Sequence, residues 1–361
     1  MASFGGHGHL AWAARRDLGA MFHYSVAPNA PGGNCAKYGQ ATLDAVFDDA
    51  YELAGTAIQA TLDHKDATAR TTNEATRLIN ALFFQPSEED LAIIQGKMQG
   101  VKNWMESGGR INNGQNRHGP LLFCGDTWRV RETMSSQMKD AHGNPMVKEN
   151  GEPYLISDSR EMKKRRKKVA EELGKNPKFI YPHWSEALMA YVFDIKYGDD
   201  PTQGPCATDA NVIAYTINEG SFGAITLCDA AFNGRRLRSV EASALPSDLF
   251  ENNQPPSGAV EPQMISKVVP AGRTAYHELF HLYWGNSVMN KGDDEEYNFP
   301  RMAGNKLRKN GKMYTKSLAM KNPETYALAA VAYDYTLHVT HTTKKGTYPV
   351  EFYTGFCTYE M

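Results

Sequence analysis

The sequence predicts an α+β fold in which helices outnumber strands. Three stretches in the first third of the chain, 41–63, 71–84 and 88–105, carry apolar residues at helical spacing. Two short apolar runs, 212–218 and 224–228, are typical of paired strands joined by a glycine-containing turn. With 361 residues the chain can bury a sizeable core, as one large domain or two modest ones.

The composition is that of a soluble globular protein, with 41% hydrophobic and 22% charged residues. A formal net charge of -2 gives no reason to expect a nucleic-acid partner. No apolar run is long enough to span a membrane, so we expect no membrane partner either. The first residues lack the apolar core of a signal peptide, and composition alone leaves the compartment and the oligomeric state open.

The chain opens with an irregular arm, 1–34, and the three helices that follow it are interpreted as scaffold. The segment 119–129 indicates a short buried strand that enters a turn, and 140–156 contains two turn signals between short extended runs. Residues 159–173 predict a helix that carries six consecutive basic residues, 163–168. A solvated helix face is the favoured interpretation of this run, and a nucleic-acid patch or a site of proteolytic nicking are the alternatives.

The strongest motif in the chain is an H-E-x-x-H pattern formed by His277, Glu278 and His281. Pro270 can open the first turn of a helix here, and Gly285 can end it. Residues four apart lie on one helix face, so the two imidazoles can bind a single metal ion. Glu278 lies beside that face, within reach of a water on the metal. Zn2+ suits neutral imidazoles on a catalytic helix, whereas the alternative interpretation is a chance match on an ordinary core helix.

Four short pieces of the chain occur in an order that is typical of one enzyme family. They are Asn34-Cys35 before an Ala-rich helix, Ala214-Tyr215 with Phe222-Gly223 and Leu227-Cys228, the motif from His277 to His281, and the helix start Asn322-Pro323-Glu324-Thr325-Tyr326. In this order they resemble the deuterolysin and peptidyl-lysine metalloendopeptidase family of zinc metallopeptidases, the aspzincins. The resemblance covers about half of the chain, loosely over 34–85 and better over 206–337.

This resemblance implies a zincin-like fold with a helical N-terminal lobe, a small sheet whose edge strand can bind substrate, and the H-E-x-x-H helix. It places one metallopeptidase domain at 35–345, between the arm at 1–34 and a C-terminal tail at 346–361. The segment at about 126–200 has no counterpart in the family and is interpreted as an insertion.

The five cysteines form no zinc-knuckle pattern, and an odd number leaves at least one unpaired if all pairing is internal. The family resemblance implies a disulfide between Cys206 and Cys228. It also suggests a second bond from Cys35, for which Cys124 is the expected partner. Disulfides are typical of oxidising compartments, so the resemblance favours a secreted, extracellular protein.

The family's third metal ligand is an Asp in a Gly-Thr-x-Asp-x-x-Tyr-Gly pattern. The acidic loop after the metal helix keeps the Asp-x-x-Tyr spacing at Asp294 and Tyr297 but lacks the Gly-Thr lead and the final Gly. The resemblance therefore implies Asp294 as the third ligand, so that two neutral imidazoles and one carboxylate leave one position open on the zinc. The alternatives are Glu324 and the acidic neighbours in the loop, among them Glu295.

On this basis the sequence predicts a zinc-dependent endopeptidase that acts on proteins or peptides. Glu278 would take a proton from the metal-activated water, and Tyr297 would donate a hydrogen bond to the developing oxyanion. Glu324 either lines a pocket for a basic substrate side chain or caps its helix. The alternative from another class is a non-proteolytic zinc-binding protein on a degenerate zincin scaffold, and non-peptide chemistry on the same frame is a third option.

Overall fold

The computed structural model of the chain is a mixed α+β structure, as the sequence predicts. It describes residues 18–24, 35–109, 119–173, 181–193, 204–208, 210–219, 222–232, 265–267, 269–285, 287–290, 295–304, 308 and 311–358. The chain divides into two compact units. The first comprises Met1–Phe22, Ala41–Gly119 and Gly234–Met361, and the second comprises His23–Gln40 and Pro120–Asn233.

The helices and strands of the described residues are numbered in chain order. The helices are α1 Leu18–Met21, α2 Gln40–Asp63, α3 Thr72–Phe83, α4 Glu88–Glu106, α5 Arg160–Leu173, α6 Pro205–Thr208, α7 Ala271–Trp284, α8 Phe299–Ala303, α9 Lys316–Ala319 and α10 Pro323–His338. The strands are β1 Leu121–Cys124, β2 Val130–Arg131, β3 Pro182–Ser185, β4 Ala190–Phe193, β5 Ala214–Glu219, β6 Phe222–Leu227, β7 Thr340–Thr343 and β8 Gly346–Pro349.

The first unit is built around two buried helices, α7 and α10. Every residue from Pro323 to Thr336 is buried, so α10 is covered on all sides rather than on one face. Phe280 of α7 packs on Tyr326 of α10 with ring centroids 4.6 Å apart. Helices α2, α3 and α4 confirm the three helices predicted for this part of the chain, and each of their ends lies within one residue of the prediction.

Helix α4 begins where its local sequence provides a cap. The Ser87 hydroxyl accepts a hydrogen bond from the Asp90 backbone nitrogen at 3.2 Å, and the Asp90 carboxylate accepts one from the Ser87 backbone nitrogen at 2.9 Å. This reciprocal pair satisfies two backbone groups that the first turn of a helix leaves without intrahelical partners.

Both ends of α7 are fixed by close contacts at glycine. A Cβ atom on Gly272, near the start of α7, would lie 2.6 Å from the backbone nitrogen of Ala50 in α2. A Cβ atom on Gly100 of α4 would lie 2.7 Å from the ring of Trp284, at the end of α7. Packing this tight leaves no space for a methyl group, so α2 and α4 determine where α7 lies.

The C-terminal residues belong to the first unit. Strands β7 and β8 form an antiparallel hairpin, and Val350 and Phe352 beyond it are buried. Between these two residues, the Glu351 carboxylate accepts hydrogen bonds from Arg77 of α3 at 2.7 and 2.8 Å. The described part of the segment expected as a tail, 346–361, is therefore anchored to α3.

The second unit contains two three-stranded sheets. In one sheet β6 lies between β1, to which it is parallel, and β5, to which it is antiparallel. The predicted strand pair is thus confirmed, and β5 is an edge strand within the described part of the chain. In the other sheet β3 pairs antiparallel with both β2 and β4.

Most of the segment interpreted as an insertion, 126–200, is described and has an apolar cluster of its own. The buried members of this cluster are Ile156, Met162, Val169, Ala170, Trp184, Tyr191 and Phe193. They come from α5, the turn before it and the strands β3 and β4. The four lysines of the basic run on α5 are exposed, as expected for a solvated helix face.

Both expected disulfides are confirmed within the second unit. Cys35 pairs with Cys124 at a Cα–Cα distance of 4.8 Å, and Cys206 pairs with Cys228 at 5.1 Å. Cys357 is a free thiol. Two disulfides fit an extracellular protein. A search of the described residues for a helix long and apolar enough to cross a membrane finds none.

Candidate metal centre

Helix α7 holds the H-E-x-x-H motif in the interior of the first unit. Pro270 precedes the helix with an extended backbone, and Gly285 follows it with a φ of 71°, as the sequence predicts. The rings of His277 and His281 lie on one face with their centroids 5.2 Å apart. Both histidines are buried. The motif therefore has the helical context that a shared metal site requires.

A carboxylate joins the two histidines in one group of metal donors. Glu295 Oε2 lies 3.5 Å from His277 Nε2, and Glu295 Oε1 lies 3.2 Å from His281 Nε2. The ligand atoms of the three residues all lie within 4.8 Å of one another. Two imidazole nitrogens and one carboxylate oxygen suit a divalent metal, so this cluster could hold a metal ion.

The choice among the acidic residues of the loop depends on how its backbone turns. Asp294, the third ligand implied by the family resemblance, lies outside the described residues, and that assignment stays a prediction. Of the alternatives, Glu295 belongs to the donor group, whereas Glu324 contacts His277 at Nδ1, the ring nitrogen that does not face the group. The Glu296 carboxylate accepts hydrogen bonds from the next two backbone N–H groups at 3.2 and 3.0 Å. These bonds hold the Glu296 carboxylate against the backbone just before α8.

The Glu295 carboxylate is held in its ionised form by the histidines. Burial on its own raises the pKa of this carboxyl group. Hydrogen bonds to His277 and His281, together with their charges, outweigh burial and hold the pKa well below its usual range. The Glu295 carboxyl group is therefore ionised, the form in which a glutamate binds a metal ion.

The ring of His277 is oriented by Glu324 of α10. Glu324 Oε2 lies 3.0 Å from His277 Nδ1, and because a carboxylate only accepts, Nδ1 carries the proton. In the neutral ring the lone pair of His277 then lies on Nε2, the atom that faces Glu295 and that a metal ion would bind. The other oxygen of Glu324 pairs with Arg273. Glu324 has no exposed surface, so none of it is offered to a substrate.

Two more residues singled out from sequence lie at the cluster. Glu278 is buried on α7, next to His277. The Tyr297 ring stacks on His277, with centroids 5.7 Å apart and planes 17° apart, and its hydroxyl donates to Glu295. Because 54% of Tyr297 is exposed, a molecule bound at the cluster could contact this side chain.

Arg273 is a residue of the site that motif reasoning overlooks. It lies four residues before His277, and this spacing places it on the same face of α7. Its pairing with Glu324 was not predictable, since nothing in the sequence shows that α10 packs there with a buried carboxylate.

The donor group forms a candidate metal centre, with Glu278 beside it on α7 and Glu324 behind His277. Comparison of the chain with protein-family models, with curated proteins and with solved structures found no match. The case for the centre therefore rests on the geometry of its own residues.

Proposed function

We propose that the protein is a zinc-dependent endopeptidase whose zinc is held by His277, His281 and Glu295. The observation that carries this proposal is the convergence of these donors beside Glu278, a buried acid on the same helix. A protein that only carries zinc needs the ligands but no adjacent base, so Glu278 favours an enzyme. The resemblance of the motifs to aspzincins supports the same reaction.

The residues around the cluster have the chemistry that peptide hydrolysis needs. A zinc ion bound there would lower the pKa of a water molecule and polarise the peptide carbonyl. Glu278 would accept the proton of the attacking water and pass it to the leaving amine. Tyr297, whose hydroxyl lies at Glu295, would donate a hydrogen bond to the carbonyl oxygen as it becomes negative.

The substrate class we infer is a protein or peptide outside the cell. The two disulfides support a secreted enzyme, because such bonds persist in oxidising compartments. A peptide substrate is also what the resemblance of the motifs to aspzincins implies.

Zinc analysis and digestion of a peptide library test the proposal, with the wild type beside Glu278→Gln. Both proteins should bind one equivalent of zinc, and the variant should cleave at least ~100-fold more slowly because the amide cannot accept the proton. His281→Ala, which removes a ligand, should lose both zinc and cleavage. Zinc binding without cleavage in the wild type would leave the non-proteolytic zinc-binding protein as the surviving function.

A further inference from the structure

The first turn of α10 contacts both of the elements that carry metal donors. Glu324 contacts α7 through His277, and Asn322 contacts the loop before α8 through the backbone of Glu296. We propose that this turn positions the metal donors, through Glu324 at one histidine and through Asn322 at the loop of the third donor. The inference rests on the proposed zinc centre and adds two positioning residues to it.

Complete burial of Glu324 is not explained by helix capping. An acidic residue in the first turn interacts favourably with the helix dipole even when it is exposed to solvent. Here the carboxylate is 0% exposed, and burying a charge is unfavourable unless it is paired and hydrogen-bonded. Arg273 supplies the opposite charge, and the ring N–H of His277 supplies the hydrogen bond. The result is a continuous contact from Arg273 through Glu324 to a metal donor.

Asn322 makes contacts that its role as a helix cap does not need. Its side-chain oxygen accepts from the Glu324 backbone nitrogen at 3.3 Å, which caps α10. Its amide nitrogen donates to the Glu296 carbonyl oxygen at 2.8 Å and lies 3.0 Å from the Tyr314 hydroxyl. Ser, Thr or Asp would also cap the helix, but none of them supplies an amide donor on the opposite side. The side chain is fully buried, so this geometry is fixed by packing.

The two contacts matter because the donors come from different kinds of element. His277 lies on a helix, whereas Glu295 lies on an irregular segment, where side chains are held less precisely. Asn322 holds the carbonyl of Glu296, one residue after the third donor. Since Glu324 lies in the same turn, the spacing between the histidine and the carboxylate is set by one rigid piece of backbone.

The variants Asn322→Asp and Glu324→Gln distinguish positioning of the metal donors from capping of α10. Aspartate keeps the oxygen that caps α10 and removes the amide donor to Glu296, and glutamine keeps the size of Glu324 but removes its charge. Each variant should raise the zinc dissociation constant ~10- to 100-fold, as loss of a contact that orients a ligand does. Chelator competition measures the constant. The visible absorption of the Co2+-substituted protein reports altered donor geometry independently of any activity.

Ser87→Ala is the matched control, because it removes the cap of α4 in the same unit. It should lower the midpoint of thermal unfolding and leave the zinc dissociation constant and the Co2+ spectrum unchanged. Asn322→Ser also keeps a capping oxygen and lacks the amide donor, so it replaces Asn322→Asp if the added charge prevents folding.

Three results would overturn the proposed positioning role of this turn. Wild-type zinc dissociation constants in the variants of both positions would overturn the positioning role while leaving the zinc centre intact. A loss of affinity confined to one position would overturn the shared role of the turn. A wild type that binds no zinc would overturn the proposed centre and this inference with it.

Discussion

The two disulfides close loops of different length, and removing them should destabilise the protein by different amounts. Cys35 and Cys124 are 89 residues apart, whereas Cys206 and Cys228 are 22 apart. Chain entropy at room temperature gives ~4.6 kcal/mol for the long loop and ~3.4 kcal/mol for the short one. Replacing the first pair by serine should therefore lower the free energy of unfolding by ~1.2 kcal/mol more than replacing the second.

Equilibrium unfolding in guanidinium measures this difference directly. The wild type and the two serine pairs are compared first under oxidising conditions and then with a reducing agent. Reduction should remove the part of the difference that comes from loop closure, because all three proteins then lack both bonds. A larger loss from the Cys206–Cys228 pair than from the Cys35–Cys124 pair would refute the loop-closure reasoning. The short loop would then contribute through native contacts that depend on the bond.

Three other substitutions or labels probe named contacts of the first unit. Glu295→Gln should raise the zinc dissociation constant more than ~100-fold, because loss of a ligand weakens zinc binding more than loss of a contact that supports a ligand. If Asp294→Asn has this effect and Glu295→Gln does not, Asp294 is the ligand. Arg77→Met should lower the free energy of unfolding by about 2 kcal/mol in chemical denaturation, because buried Glu351 loses its cation; an unchanged value would show that this ion pair adds no stability. Cys357 is half-buried, and desolvation raises the pKa of its thiol to about 12, so a thiol-alkylating reagent at neutral pH should label it more slowly in the native protein than after unfolding; equal rates would contradict the raised pKa.

The scaffold was predictable because its signals are local. Helices α2, α3 and α4 bury one face each, so the apolar spacing of their sequences is itself the evidence for their structure. Their ends were predictable where a specific residue terminates or caps the helix. Ser87 at the start of α4 and Gly285 at the end of α7 are examples.

The third donor was not predictable to a single residue, because the loop that carries it has no periodicity. Counting back from Tyr297 favours Asp294, but the direction of a side chain in an irregular segment depends on backbone angles that the sequence does not reveal. Glu295 faces the histidines, whereas Glu296 accepts hydrogen bonds from the two backbone N–H groups that follow it, although the two are neighbours of the same charge.

The C-terminal hairpin was also missed, for a tertiary reason. The segment around β7 and β8 is polar and contains glycine, so composition alone suggests a tail. What holds this end of the chain is the burial of Val350 and Phe352 and the ion pair between Arg77 and Glu351. The ion pair joins residues 274 positions apart, and a local sequence pattern does not reveal a contact of that range.

The close contacts at Gly100 and Gly272 have a consequence for genetics. Neither residue belongs to the donor group, yet each leaves no space for even a methyl group where α7 meets a neighbouring helix. An alanine at Gly272 would meet the backbone of α2, and one at Gly100 would meet the rings of Tyr283 and Trp284, so each would displace the part of α7 that it contacts. A random-mutagenesis screen for loss of zinc binding should therefore recover these two glycines together with the ligands, and would wrongly suggest that they touch the metal.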